Sequence, residues 1–276
     1  MPISGSTVVR RQLGRRLRRL REAAGKTDRD IEEANLASRA KLWRIETGKT
    51  PVKVADVRAL CWLYGADQPT TDALANLAVG TTGQGWWEDT GDTVPHWVWL
   101  YYGLEATATE ILLYDPELVH GLLQTPAYIR ALRQASNPKA DEEDIQQSIR
   151  LRQERQQTFI NRVPPLRLTA VFNAAVLTRP VGDEQVMAEQ IARLRELAAL
   201  DHVDIRVLPW EAGAHAAMHI GAFMILDFDD PDDPAVVFLE SHTFARYLEK
   251  PDELSEYRRV FELIYQETVP IEEYPP

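Results

Sequence analysis

The stretch Ser38 to Lys49, SRAKLWRIETGK, places Arg39, Ala40, Arg44 and Thr47 at helical spacing. Arginine can donate two hydrogen bonds to guanine O6 and N7, and alanine or threonine methyls can pack on thymine methyls. At about 100° per residue, with Leu42 at the centre of the inward face, Ser38, Leu42 and Ile45 turn towards a core. Ala40, Arg44 and Thr47 then turn outward, with Arg39, Lys41 and Trp43 on the flanks. The chemistry implied is the reading of base edges. Lys41, Arg29 and the basic first helix, Arg16 included, would meet phosphates and so fix register without reading sequence.

Other groups of residues suggest different chemistry. His215 and His219 stand at i, i+4 in HAAMH, the spacing of two metal ligands on one helical face. Residue 216 is Ala, so the glutamate of the zinc-protease pattern is missing, and Gly213 and Gly221 bracket a loop. The run DFDDPDDP (227–234) lacks the central Gly and closing Glu of a calcium loop, so a hairpin turn between two apolar strands is expected. Trp86, Trp87, Trp97, Trp99, Tyr101 and Tyr102 gather near a domain junction, and Trp97, Tyr101 and Leu104 have the spacing of a helical core face. His215, His219, Trp97 and Tyr101 are the candidates for a small-molecule pocket. No phosphate loop, nucleophile elbow or carboxylate dyad can be assigned, so neither an enzyme nor a cofactor is expected.

These residues need elements to carry them. Leu13, Leu17, Leu20 and Ala24 recur at helical spacing among arginines from Gln12 to Ala24, and Gly25 ends that helix. Thr27 caps a short second helix to about Ala34, Ser38 caps a third that Gly48 stops, and Val54 to Tyr64 forms a fourth. Beyond residue 96, helical stretches (97–109, 125–135, 141–160, 183–200, 251–267) alternate with strand-like ones (111–114, 166–172, 203–208, 221–228, 235–240). The fold expected is α+β: an all-α bundle over 1–66, a helix and linker over 67–95, and a mixed α/β domain over 96–276. The net charge of −11 conceals a split, because residues 10–64 hold 15 Lys+Arg against 7 Asp+Glu. A basic module that meets a polyanion, carried on an acidic body, is the reading. With a single cysteine, Cys61, no intrachain disulfide can form, and no apolar run is long enough for a signal or membrane helix. A cytoplasmic protein without a membrane partner is expected.

Helix, tight turn and helix from Thr27 to Gly48, with RIETG closing the second, resemble the helix-turn-helix of phage repressors, whose second helix enters the major groove. That resemblance puts groove reading on Arg39, Ala40 and Arg44. The pattern departs from the usual one at Asp28, at Glu32 where a small residue is common, and at Asn35-Leu36-Ala37 where the turn commonly has Gly. Trp43 is expected to cover the side of its helix against the second helix, beside Glu32, in preference to the alternative of leaning on sugar and thymine methyl groups of DNA beside Arg39. Further on, YYGLEATATEI (101–111), GLLQTPAYIRAL (121–132), RLRQERQQ (150–157), VLTRPVG (176–182), VDIRVLP (203–209) and GAFMILDF (221–228) follow in order. With the N-terminal module they resemble the actinobacterial Xre-type regulators that join a helix-turn-helix to a C-terminal domain of unknown function. The resemblance implies a homodimeric transcriptional regulator on double-stranded DNA, whose second domain takes a small acidic partner protein or a ligand. Within it, His120 stands where Pro is usual, and Asn173-Ala174 where an Asp-Glu pair is usual. The competing expectations are an antitoxin-like interaction module without DNA binding, and a repurposed helix-turn-helix protein in a biosynthetic pathway.

Overall fold

The structure is a computed structural model, and it describes residues 5–79, 81, 96–229, 234–242 and 244–275. Six helices come first: α1 (Gly5–Ala23), α2 (Asp28–Glu33), α3 (Arg39–Glu46), α4 (Val54–Tyr64), α5 (Gln68–Val79) and α6 (His96–Glu105). They are followed by β1 (Glu110–Asp115), α7 (Pro126–Ser136), α8 (Glu142–Ile160), β2 (Arg167–Asn173), α9 (Ala174–Thr178) and α10 (Glu184–Ala198). The chain ends with β3 (Val203–Leu208), β4 (Phe223–Asp227), β5 (Val236–Glu240), β6 (Ala245–Leu248), α11 (Pro251–Gln266) and β7 (Val269–Pro270). The fold is α+β. Packing divides it into two compact units, Met1–Thr107 with Ser241–Glu249, and Ala108–Glu240 with Lys250–Pro276. The first unit thus runs past the boundary expected at 66 and takes in a short downstream piece.

In the first unit α1 is the central helix, burying Val9, Leu13 and Leu17 against α3, α4 and α5. Gly14 is required there, since a methyl group at that position would collide with the Ile45 carbonyl of α3. Ile31 of α2, Leu42 and Ile45 of α3, and Val57, Leu60 and Cys61 of α4 complete the core. Burial pushes the Cys61 thiol up, so it stays a protonated, apolar-like side chain. The buried hydroxyl of Thr81 accepts from Val52 N–H at 3.0 Å and donates to the Val52 carbonyl at 3.1 Å, which ties down the segment between α3 and α4.

In the second unit six strands stand in the order β5-β4-β1-β2-β3-β7. β1, β2 and β3 are parallel, while β4, β5 and β7 join antiparallel. Parallel neighbours need crossover connections, which α7 with α8, and α9 with α10, supply. β2 buries Leu168, Ala170, Val171 and Phe172 almost without interruption, as expected of a strand covered on both faces. The fully buried Gln190 of α10 accepts from Thr125 N–H at 2.7 Å and donates to the Leu123 carbonyl at 2.8 Å, satisfying the backbone just before α7. β4 and β5 pair from Met224↔Phe238 to Leu226↔Val236, so DFDDPDDP joins antiparallel neighbours. Residues 230–233 of that connection lie outside the described residues.

Candidate nucleic-acid interface

Two capped helices and the turn between them present the candidate surface. Thr27 accepts from Asp30 N–H, and Asp30 accepts from Thr27 N–H at 2.6 Å, closing a capping box at the start of α2. This hydrogen bonding from Thr27 also holds the Asp30 carboxyl below the usual range. The turn that lacks glycine solves its geometry with Asn35, whose φ of +56° lies in the left-handed region that asparagine tolerates better than most residues. The amides of Asn35 and Leu36 bond back to the carbonyls of Glu32 at 3.0 Å and Ile31 at 3.2 Å, so α2 ends in a Schellman closure. Glu32, where a small residue is common, is exposed and accepts from the Arg39 amide at 3.4 Å, so it serves one of the unpaired N–H groups that open α3.

Ser38 does not face the core as its wheel position suggested. It is exposed and caps α3, its hydroxyl accepting from Lys41 N–H at 3.3 Å, because an N-cap side chain folds back over the helix end. Leu42 and Ile45 are buried, and Arg39, Ala40, Trp43, Arg44 and Thr47 are all exposed. Trp43, expected against α2, is 53% exposed and has the Lys49 ammonium 4.1 Å from its ring centroid. Glu32 has its own work at the Arg39 amide, and the indole is turned to solvent beside Ala40 and Thr47.

The orientation of α3 depends on a two-point contact with α1. Arg21 donates from Nε and Nη2 to the two carboxylate oxygens of Glu46, at 2.6 and 2.8 Å, with both side chains largely shielded. The hydrogen bonds to Glu46 push the Arg21 guanidinium pKa up, so Arg21 stays charged. The other cations have partners of their own. Arg39 Nε is 3.8 Å from Asp28, Lys41 Nζ is 3.0 Å from Asp56, and Arg29 Nε is 2.8 Å from Glu33. Exposed pairs of this kind contribute little, roughly 0–1 kcal/mol, so a phosphate can replace the carboxylate at small cost. Arg44 donates Nε to its own helix at the Ala40 carbonyl, 3.3 Å away. Arg16 is used differently, donating to the Gly103 carbonyl of α6 at 2.5 Å and so joining two helices of its unit.

The remaining candidates are dispersed. Trp97 and Tyr101 belong to α6 in the first unit, and His215 and His219 to the second. Tyr101 is buried and its hydroxyl donates to Glu105, whereas the side chain of Trp97, like Trp86 and Trp87, lies outside the described residues. His215 and His219 sit in a run of turns. The half-buried ring of His215 meets Tyr114 edge-on at 6.0 Å, and burial lowers its pKa. Among the described residues no group of three His, Cys, Asp or Glu side chains is placed to hold a metal. Asn173, where the resemblance has an acidic residue, caps α9 by accepting from Ala175 N–H at 3.0 Å. Among the described residues no helix is long and apolar enough to cross a membrane.

Residues 12–74, from α1 into α5, match the helix-turn-helix domain. Residues 99–273 match the family described as a domain of unknown function, DUF5753. The chain belongs to the DUF5753 family. No curated protein and no solved structure matches this DUF5753 protein. Its α3 occupies the place of the second helix of the helix-turn-helix. The sequence did not point to Lys49, although the left-handed Gly48 that turns it back towards Trp43 is visible in RIETGK.

Proposed function

We propose that this DUF5753 protein is an Xre-type transcriptional regulator that binds double-stranded DNA through α3 and acts as a homodimer on paired half-sites. The observation that carries the reading is the solvent face of α3. Arg39, Ala40, Arg44 and Thr47 are exposed together on a helix held to the core by Leu42 and Ile45 and clamped by Glu46 to Arg21. Arg44 and Arg39 supply bidentate donors for guanine, and Ala40 and Thr47 supply methyl contacts for thymine. Lys41 and Arg29 exchange their carboxylate partners for phosphates. The α/β unit is the regulatory part, and the sequence resemblance makes a small acidic protein or a ligand its effector. Selection of duplexes from random-sequence DNA, followed by gel shift at low salt, tests the reading. Arg39→Ala and Arg44→Ala should each cost about 1–3 kcal/mol and relax preference at one base position. Binding unaffected by both substitutions refutes it, and stable capture of a partner protein without DNA affinity favours the antitoxin-like module.

A further inference from the structure

Gly48 stands just beyond α3 with φ +69°, and a Cβ there would come within 2.7 Å of the Arg11 backbone, so the position admits little besides glycine. The amides of Gly48 and Lys49 bond back to the carbonyls of Ile45 at 3.0 Å and Arg44 at 2.9 Å. This Schellman closure reverses the chain over the last turn of α3. The Lys49 side chain therefore lies back along the helix, with its ammonium 4.1 Å from the centre of the Trp43 ring. Among the described residues no carboxylate lies within ion-pair distance of Lys49, in contrast to Arg29, Lys41 and Arg39. An aromatic face attracts a cation without cancelling its charge. Trp43 thus orients Lys49 without a carboxylate to offset its charge.

On the helix surface Ala40 and Thr47 mark the centre of the exposed face, and Trp43 and Arg44 stand roughly 50° to either side at about 100° per residue. When such a helix lies in a major groove, its N-terminal part meets base edges and its C-terminal end lies nearer the backbone, so a long cationic side chain leaving that end reaches a phosphate wall. We propose that Lys49, held on Trp43, is a phosphate-contact residue at the C-terminal end of α3, with Trp43 its positioning residue. The inference rests on the reading of α3 as the groove-entering helix. Lys49 fixes register and carries no base preference of its own.

Fluorescence anisotropy of the full chain on a duplex selected from random-sequence DNA, from about 50 to about 200 mM salt, provides the test. Each phosphate contact contributes about 0.9 to the slope of log K against log salt, and a dimer carries two copies of Lys49, so Lys49→Ala should lose about 12-fold less affinity over that range than the parent protein. Lys49→Arg should restore the slope and Trp43→Phe should keep it. Trp43→Ala should lower the slope as Lys49→Ala does, and the double substitution should lower it no further. Scanning single neutral methylphosphonates should find one position in each half-site that weakens the parent protein and leaves Lys49→Ala unaffected. An unchanged slope in Lys49→Ala, or an altered base preference, overturns the inference while the DNA reading stands. A parent protein that binds no duplex overturns both.

Discussion

Removing the Glu46 carboxylate probes the link between the packing of α3 and its presentation to DNA. Glu46→Ala leaves the Arg21 guanidinium, only 14% exposed, without the oxygens it meets at 2.6 and 2.8 Å. Deleting one partner of a well-shielded bidentate pair costs about 3–5 kcal/mol, because the surviving charge is desolvated and uncompensated. Asp28, 3.8 Å from Arg21 Nη1, and the Lys26 carbonyl, 3.1 Å away, offset a part of this, which puts the expected loss near 3 kcal/mol. Hydrogen exchange of α1 and α3 in the full chain should then quicken roughly 150-fold. Peptides from β1 and β2, in the second unit, should exchange as before. Replacing both partners, as in Arg21→Met with Glu46→Leu, should return most of the protection, since an apolar pair of similar volume carries no stranded charge. Acceleration below about fivefold in Glu46→Ala would refute the reasoning, for it would mean that Arg21 is satisfied by water and the clamp contributes nothing.

Two further substitutions test the electrostatics of each unit. Asp28→Asn removes a carboxylate 3.8 Å from Arg39 that would also face DNA phosphates, so duplex affinity should rise roughly three- to tenfold at low salt, measured by anisotropy. Burial pushes the Asp115 carboxyl, whose Oδ1 accepts the Glu117 and Leu118 amides, up to about 6. A carboxyl raised in this way contributes its full stability below the unfolded value of about 4 and loses it as pH rises from there through the folded value. Asp115→Asn keeps an amide acceptor without the charge, so its stability gain in urea should be absent near pH 4, grow through pH 6 and level at about 1–3 kcal/mol above pH 7.

Much of the fold could be read from patterns of caps and periodicity. Thr27, Ser38 and Gly48 mark the ends of α2 and α3 in sequence as they do in space, and the alternation of apolar runs past residue 96 locates β1 to β5. The four-residue β6, the two-residue β7 and the five-residue α9 have too few positions to show a period, so they emerge only from pairing and packing. At the candidate site the outward set on α3 was legible from its angles. The pairing of Arg39 with Asp28 and of Lys41 with Asp56 was not, since a helical wheel has no information about neighbouring helices. Trp43 was misplaced for a related reason. A large apolar side chain on a flank suggests burial, but a cation from beyond the next glycine had already settled on its face. Asn35 carries the complementary lesson, for the absence of glycine did not mean the absence of a left-handed turn.

The short return of the chain at Ser241–Glu249 gives the first unit an unusual dependence. Glu249 ion-pairs with Arg11 of α1, the helix that also carries Gly14 and Arg21, the residues that seat α3. A domain swap that transplants only the first 107 residues therefore delivers a unit missing one of its own components, left behind more than a hundred positions downstream. A chimera of this unit is better made by changing the exposed residues of α3 in place than by cutting the chain.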